Sequence, residues 1–408
     1  MKHYVFLTNS IRNMGGAQMY LRNKMLFLEE RGWHVSVFFF NEGEILIPEL
    51  QRFSSFLIPD LRLQVSTVSK KRSKDVIARM IDMMGGANGE CFIETHVYQL
   101  SYWAELLAKE TGGYNLLCFL HEQYPSFSER EIAYLHYKCK RGELLKSSSW
   151  IESRLGQHWM NDKTFKLPSY SNVTTKKEFK FEYDSSLKSI LSIGRLDKPY
   201  IMPMLSEIVA FARNEGADVN LFLVGGAAEE SYLDDIKSFL ADKHQIIPYF
   251  FGYMYPVPEN IIKSSDVAIA TSGAVMVPTE MGVPTIAVDA QDYMAIGVYG
   301  VTTQNKMRRT IEPPTKIAVL LHDILVNKKY IGMENAGAIA EKERNQLLQN
   351  HLSIVEEHDA VKEYYDVFSI YSRKEILKQK AVMMLYEVLG EYGVARVAKM
   401  WDSILGRK

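Results

Sequence analysis

The sequence predicts an α/β protein built on two successive parallel sheets, and three observations carry that prediction. Apolar runs of strand length alternate with segments of helical periodicity. The alternation breaks at a polar, turn-rich stretch, residues 168–186, and then restarts. A chain of 408 residues is also a comfortable length for two domains of ordinary size.

Taken in order, residues 4–7 read as a strand. Ala17, Leu21, Met25 and Leu28 then recur at i, i+4, i+8 and i+11, one face of a helix, with Gly32 placed to stop it. A second strand, 35–40, follows at once. Residues 91–93 and 116–120 read as buried strands, and a helix over 102–110 ends at Gly112 and Gly113. Strands separated by helices need crossover connections, hence a parallel sheet. Beyond the polar stretch, strands are expected at 189–193, 220–224, 266–270 and 285–288, spaced by helices at 204–214 and 230–240. From Lys316 to Lys408 the pattern is almost entirely helical. Leu377, Ala381, Leu385 and Val388 line one apolar face there, so this tail must pack on sheets already formed.

Composition narrows the function. Hydrophobic residues at 47% and charged residues at 24% fit an ordinary globular chain, not a disordered one. The formal charge of -1 removes the global positive field of a dedicated nucleic-acid binder, so no nucleic-acid partner is expected. Cys91, Cys118 and Cys139 show no metal or disulfide spacing, which points to a reducing cytoplasm and no resident metal. No leader-like segment precedes the first strand, and the longest apolar runs fall far below the ~20 residues that span a bilayer.

Ligands of open α/β sheets bind where strands end and helices begin. Four such loops stand out. Gly15 and Gly16 open the first helix without side chains, which lets a phosphate or sugar approach the backbone; a tight turn that merely starts a helix explains them equally well. Gly194 and Arg195 follow a strand in S-I-G-R-L-D-K-P, with Lys198 three residues on. A guanidinium fork plus an ammonium suits a diphosphate, and the plainer alternative is an Arg paired with Asp197 or Glu207. Gly225 and Gly226 end another strand. The run from Asp266 to Asp289 contains a Thr271-Ser272-Gly273 turn, then Thr279, Glu280 and Gly282. The G-x-G-x-x-G dinucleotide fingerprint does not occur at these loops.

Taken together, G-G-A near the N-terminus, S-I-G-R-L-D-K, L-F-L-V-G-G, F-F-G-Y, S-S-D-V-A-I-A-T-S and E-M-G-V-P-T-I-A-V resemble, in that order, the GT-B glycosyltransferases, specifically their GT4-like retaining group. The resemblance spans residues 1 to about 303. It implies two Rossmann-like domains facing a central cleft: 1–170 for the acceptor, a linker at 171–187, 188–370 for a nucleotide-sugar donor, and 371–408 packing back across the interface. It also implies no cofactor beyond the donor substrate. Arg195 takes the place of the arginine that neutralises the donor diphosphate, while Tyr200 stands where a companion lysine is usual, leaving Lys198 as its substitute. Ser272 and Gly273 match the turn whose amides meet the donor phosphate, and Tyr253 lies in the region that contacts the base. Gly15, Gly16, Gly194, Gly225, Thr279 and Glu280 complete the implied donor site.

The family's E-x7-E carboxylates fall on Ile269 and Val277 here, so a donor-binding change or a lost activity is open; Glu280 takes the ribose role only if the helix start is shifted. In the first domain His121 and Glu122 match a His-acidic pair near the reacting hydroxyl, and His96 is expected beside them as an acceptor ligand. No D-x-D triplet occurs, which suits a metal-independent enzyme. Finally, Lys70, Lys71, Arg72 and Lys74 precede an apolar stripe of Ile77, Met80, Ile81, Met83 and Met84. That pattern reads either as a peripheral contact with an anionic membrane, suited to a lipid-linked acceptor, or as an ordinary amphipathic helix. Two readings follow: a transferase of polysaccharide or glycoconjugate assembly, acting on a glycan or lipid-linked hydroxyl, or a GT-B-shaped scaffold subunit assisting an active partner.

Overall fold

The computed structural model describes residues 2–12, 14–86, 89–119, 127–146, 174–227, 229–309, 314–330, 346, 348–358, 363–372, 374–377 and 379–381. Its first sheet contains β1 (Lys2–Leu7), β2 (His34–Phe38), β3 (Glu90–Thr95), β4 (Tyr114–Phe119) and β5 (Leu144–Lys146), all parallel, in the order β2-β1-β3-β4-β5. A two-stranded pairing of β6 (Thr174–Thr175) with β10 (Val257–Pro258) follows the polar stretch. The second sheet contains β7 (Lys188–Ile193), β8 (Val219–Val224), β9 (Ile246–Gly252), β11 (Val267–Ala270), β12 (Thr285–Val288) and β13 (Ala295–Val298), in the order β13-β12-β11-β7-β8-β9. Only β13 runs antiparallel there.

Helices cover both faces of the first sheet, so its strands are largely apolar, with Glu94 of β3 and Asn115 of β4 among the buried polar exceptions. Along β1, Tyr4 and Phe6 enter one core with Met19, Leu21 and Met25 of helix α1 (Gly16–Glu29), while Val5 and Leu7 enter another with Trp103 and Leu107 of α3 (Leu100–Thr111). Gly32, at φ +78°, turns the chain out of α1 into β2, a conformation an L side chain adopts at a cost. Helix α2 (Lys70–Met83) starts at Ser69, whose hydroxyl accepts from the Arg72 N–H at 3.2 Å. Val76, Ile77, Met80 and Met84 are buried in the first core, and Ile81 and Met83 pack against it. The apolar stripe is therefore a core face, as the amphipathic-helix alternative has it. What remains outward at the helix start is Lys70, Lys71, Arg72 and Lys74, with Arg72 2.7 Å from Asp60.

The C-terminal segment returns to the first sheet earlier than residue 371. Leu352, Ile354 and Val355, from a helical stretch at 348–356, join the α1-side core, and Val367, Ile370 and Tyr371 join the α3-side core. Leu377, expected on an apolar face, is 68% exposed, and Leu385 and Val388 lie outside the described residues. Cys91, Cys118 and Cys139 are buried and form no disulfide, and burial lifts the Cys91 thiol to about 11. Among the described residues no helix is long and apolar enough to cross a membrane.

Each sheet has a point where the chain reverses its direction of strand addition. It lies between β1 and β3 in the first sheet and between β7 and β11 in the second. The crevices outside the carboxyl ends of those pairs are where such sheets bind ligands.

Candidate functional site

In the second sheet that crevice is lined by glycine. Gly194 follows β7 at φ +146° and Gly225 follows β8 at φ +142°. A Cβ on Gly225 would sit 1.9 Å from the Gly194 carbonyl oxygen, so the two loops touch through bare backbone. A Cβ on Gly226 would lie 2.4 Å from the Tyr253 ring, which rests on that glycine and is 38% exposed. Gly225 N–H donates to the Gly252 carbonyl at 2.8 Å and Gly194 N–H to the Val224 carbonyl at 3.0 Å, which ties the ends of β7, β8 and β9 together.

Arg195 stands at this junction. Its Nε lies 3.2 Å from Asp197 Oδ1, and the side chain is 38% exposed. Of the two partners expected for it, Asp197 is the one found; Glu207 instead accepts the Ala318 N–H at 3.2 Å. Lys198 is exposed by surface area, yet desolvation by the loop and then repulsion from Arg195 lower its pKa. Burial and then Asp197 raise that of Tyr253, with Arg195 opposing, so the ring shares the field of both charges. Tyr200, where the companion lysine is usual, is 3% exposed beneath the loop, its hydroxyl 3.3 Å from where a Gly194 Cβ would lie. It supports the glycine turn from below and carries no charge to the crevice.

Across the crevice, Ser272 takes φ +57° at the end of β11, beside buried Gly273. The Ser272 N–H, expected for a phosphate, donates to the Lys306 carbonyl at 2.7 Å. Thr279 is 1% exposed and its hydroxyl donates to the Val275 carbonyl at 2.8 Å, a helix-internal bond that removes its proton from ligand binding. Glu280 is half-buried at the far end of the short helix Met276–Glu280. Ile269 and Val277, at the family's carboxylate positions, are buried apolar residues. Sequence reasoning missed the loop 303–309 and Asp289, which follows β12. Asp289 is buried and accepts from the backbone N–H groups of Gln291 at 2.7 Å and Arg309 at 2.6 Å. The signal was available in the basic pair Arg308-Arg309 following an edge strand.

In the first sheet, His96 follows β3 at the reversal point, and Gly15 and Gly16 open α1 after β1. His96 is 4% exposed, with Nε2 2.8 Å from Glu94 Oε1. Beneath it Glu94 is fully buried and takes Lys24 Nζ at 2.5 Å, the Tyr20 hydroxyl at 2.7 Å and the Tyr4 hydroxyl. Burial pushes the Glu94 carboxyl up, but Lys24 and then His96 more than offset this and hold it well below the usual carboxylate range. Lys24 lies inside the stripe of Leu21, Met25 and Leu28, a cation where the helical period demands an apolar residue, and this was its sequence signal. His121 and Glu122 lie outside the described residues.

The two halves meet at Tyr255, whose hydroxyl donates to Glu49 at 3.3 Å, itself paired with Arg22 of α1 at 2.5 Å. A shallow pocket bounded by Val209, Arg213, Lys243 and His244 lies at the opposite, amino end of β9 and is not part of this site. Among the described residues no three His, Cys, Asp or Glu side chains are grouped to hold a metal ion.

No family model matches the sequence, and no curated protein does. Solved structures do match. A glycosyltransferase from Rickettsia africae aligns over 87% of this chain and 98% of its own, at 14% identity and TM-score 0.62. HepE from Anabaena, solved with UDP, aligns over 88% of this chain and all of its own, at 14% identity and TM-score 0.59. The lipopolysaccharide outer core galactosyltransferase WaaB aligns over 87% and 99%, at 12% identity and TM-score 0.50. Two sheets with reversal points at facing crevices, a returning C-terminal segment and these likenesses lead to one conclusion: the chain has the GT-B glycosyltransferase fold.

Proposed function

We propose that this chain is a glycosyltransferase that moves a sugar from a nucleoside diphosphate donor to a hydroxyl acceptor without a metal ion. The observation that carries the reading is the junction of Gly194, Arg195, Lys198, Gly225 and Tyr253 at the carboxyl ends of β7, β8 and β9, beside the reversal point of the second sheet. Two cations, bare backbone and a half-exposed ring resting on glycine match the three chemical parts of such a donor. HepE, on the same fold, has been solved with UDP-glucose, which makes uridine the first base to test.

In the reaction the acceptor oxygen bonds to the anomeric carbon as the bond from that carbon to the diphosphate breaks. Arg195 and Lys198 neutralise the charge that collects on the departing phosphate, and the glycine turns admit it to the backbone. Same-face transfer, with the leaving phosphate taking the acceptor proton, is the stereochemical course proposed. On the acceptor side we assign His96 and Glu122, with His121 beside the reacting hydroxyl, and we assign Gly15 and Gly16 to the donor. The acceptor class is a glycan or lipid-linked hydroxyl of polysaccharide or glycoconjugate assembly at the cytoplasmic side of a membrane, where the exposed face of Lys70, Lys71, Arg72 and Lys74 would supply electrostatic contact alone.

A second reading, a scaffold subunit without turnover, draws support from buried Ile269 and Val277 at the carboxylate positions. A donor panel with an extracted acceptor pool, read by nucleoside diphosphate release, separates the two. The enzyme reading expects turnover with at least one donor, and a fall in kcat/KM of about a hundredfold or more in Arg195→Ala, the size of effect seen when one transition-state donor is removed. Silence with every donor, together with no thermal shift by any nucleotide, would leave the scaffold.

A further inference from the structure

The carboxyl ends of the second sheet form an ordered row. Tyr253 follows β9, Gly225 follows β8, Arg195 follows β7, Ser272 follows β11 and Asp289 follows β12, and these strands are neighbours in that order. Extending the observed pairing of Ile269 with Ser192 by three residues brings Ser272 level with Arg195. Successive ends are about 5 Å apart. On the donor reading, with the base on Tyr253 and the diphosphate at Arg195, the transferred sugar continues along the row, over the ends of β11 and β12.

What waits there is cationic. Three hydrogen bonds fasten the loop 303–309 to those ends: Ser272 N–H to the Lys306 carbonyl at 2.7 Å, Ala290 N–H to the Met307 carbonyl at 3.1 Å, and Arg309 N–H to Asp289 Oδ2 at 2.6 Å. The Arg308 guanidinium stands 3.5 Å from Asp289 Oδ1 and is 44% exposed. Asp289 already takes backbone N–H groups on both oxygens, so it keeps partners when Arg308 turns to a ligand. Asp292 is committed to Arg309, which is only 12% exposed. Lys306 precedes Arg308 by two residues in the same loop, its ammonium 5.6 Å from the Tyr299 ring centre.

A neutral sugar presents hydroxyls, whose hydrogens call for acceptors such as carboxylates. An arginine offers donors only, and its fork matches a carboxylate bidentately. We infer that the transferred sugar is anionic, of the hexuronate class, with its carboxylate recognised by Arg308 and Lys306. This rests on the donor reading above and adds the identity of the sugar to it.

The test is calorimetric. UDP-glucuronate is compared with UDP-glucose, and GDP-mannuronate with GDP-mannose, on the wild-type protein and on Arg308→Ala, Arg308→Lys and Arg308→Ala/Lys306→Ala. The expected result is a tenfold or greater preference for the acid in the wild type, partly kept in Arg308→Lys and erased in the double variant. Affinity for the bare nucleoside diphosphate should stay within about twofold, which also shows that each variant is folded. Equal binding of acid and neutral sugar, or a preference untouched in the double variant, would overturn the inference while the donor site stands. Failure of the wild type to bind any nucleoside diphosphate would remove the donor reading itself, and this inference with it.

Discussion

Lys24 and Glu94 lie 2.5 Å apart at 1% and 0% exposure inside the first half of the chain. On the other side of the same sheet Lys138, also 0% exposed, holds Glu105 at 2.5 Å and Glu143 at 2.7 Å. Among the described residues of the second half the one Asp, Glu, Lys or Arg that is buried is Asp289, and less deeply, at 5% exposure. The second half instead brings its loops into contact through glycine. The difference separates two tasks. A buried ion pair is costly to break, because one partner then remains charged in a poor solvent, and it tolerates little displacement. Here the pairs also hold the returning C-terminal segment: His351 Nδ1 meets Lys24, and the Glu363 carbonyl accepts from Tyr137 at 2.7 Å beside Glu105. Glycine loops do the reverse, giving close approach and leaving the crevice open to a ligand.

Substitutions should therefore divide by half. The largest effect is expected from Lys24→Met, which strands Glu94 and should cost about 3–5 kcal/mol of stability. Urea denaturation would read the loss. Hydrogen exchange should confine the loosening to the first sheet and residues 348–358, and adding Glu94→Gln should recover much of it. Gly225→Ala comes next. Its Cβ meets the Gly194 carbonyl at a φ that L residues rarely adopt, for about 3 kcal/mol of strain. Nucleotide affinity should fall with exchange in the first half unchanged, so loosening of both halves would break the comparison.

The smallest effect is with pH. Burial and then Lys24 hold the His351 pKa well below its ordinary 6.5, so the unfolded chain binds that proton before the folded one does. This contribution is complete above about 6.5 and declines as pH falls below it. Glu94 and Glu143 are held below the ordinary 4.5, and their contribution is lost as pH falls from there toward their folded values. Both signs make the first half the acid-labile one. A melting temperature followed from pH 8 to pH 2 should decline in two stages, and His351→Leu should shrink the upper one.

Much of the fold was legible because periodicity reports burial. The strands at 189–193, 220–224 and 285–288 were found almost to the residue, since each is buried on both faces and mostly apolar. β9 was missed because Pro248 interrupts it. The strand tolerates that proline at the edge of its sheet, where one side of the ladder needs no donor. β13 was missed for a related reason, being a four-residue antiparallel edge whose side chains carry little pattern. At the site, Gly194, Gly225, Arg195 and Tyr253 were readable, because a glycine at a strand end is a local instruction. The engagement of the Ser272 amide by Lys306 was not, because it depends on a loop 34 residues away in sequence.

The return of the C-terminal segment alters how the halves can move. The chain starts on the first sheet, builds the second, and comes back, so the second half is an insertion joined to its neighbour by two covalent crossings. A body hung on two cords can nod but hardly twist, and the Tyr255 hydroxyl resting on Glu49 lies where such a nod would open or shut. Connectivity alone thereby restricts how the second half can move against the first.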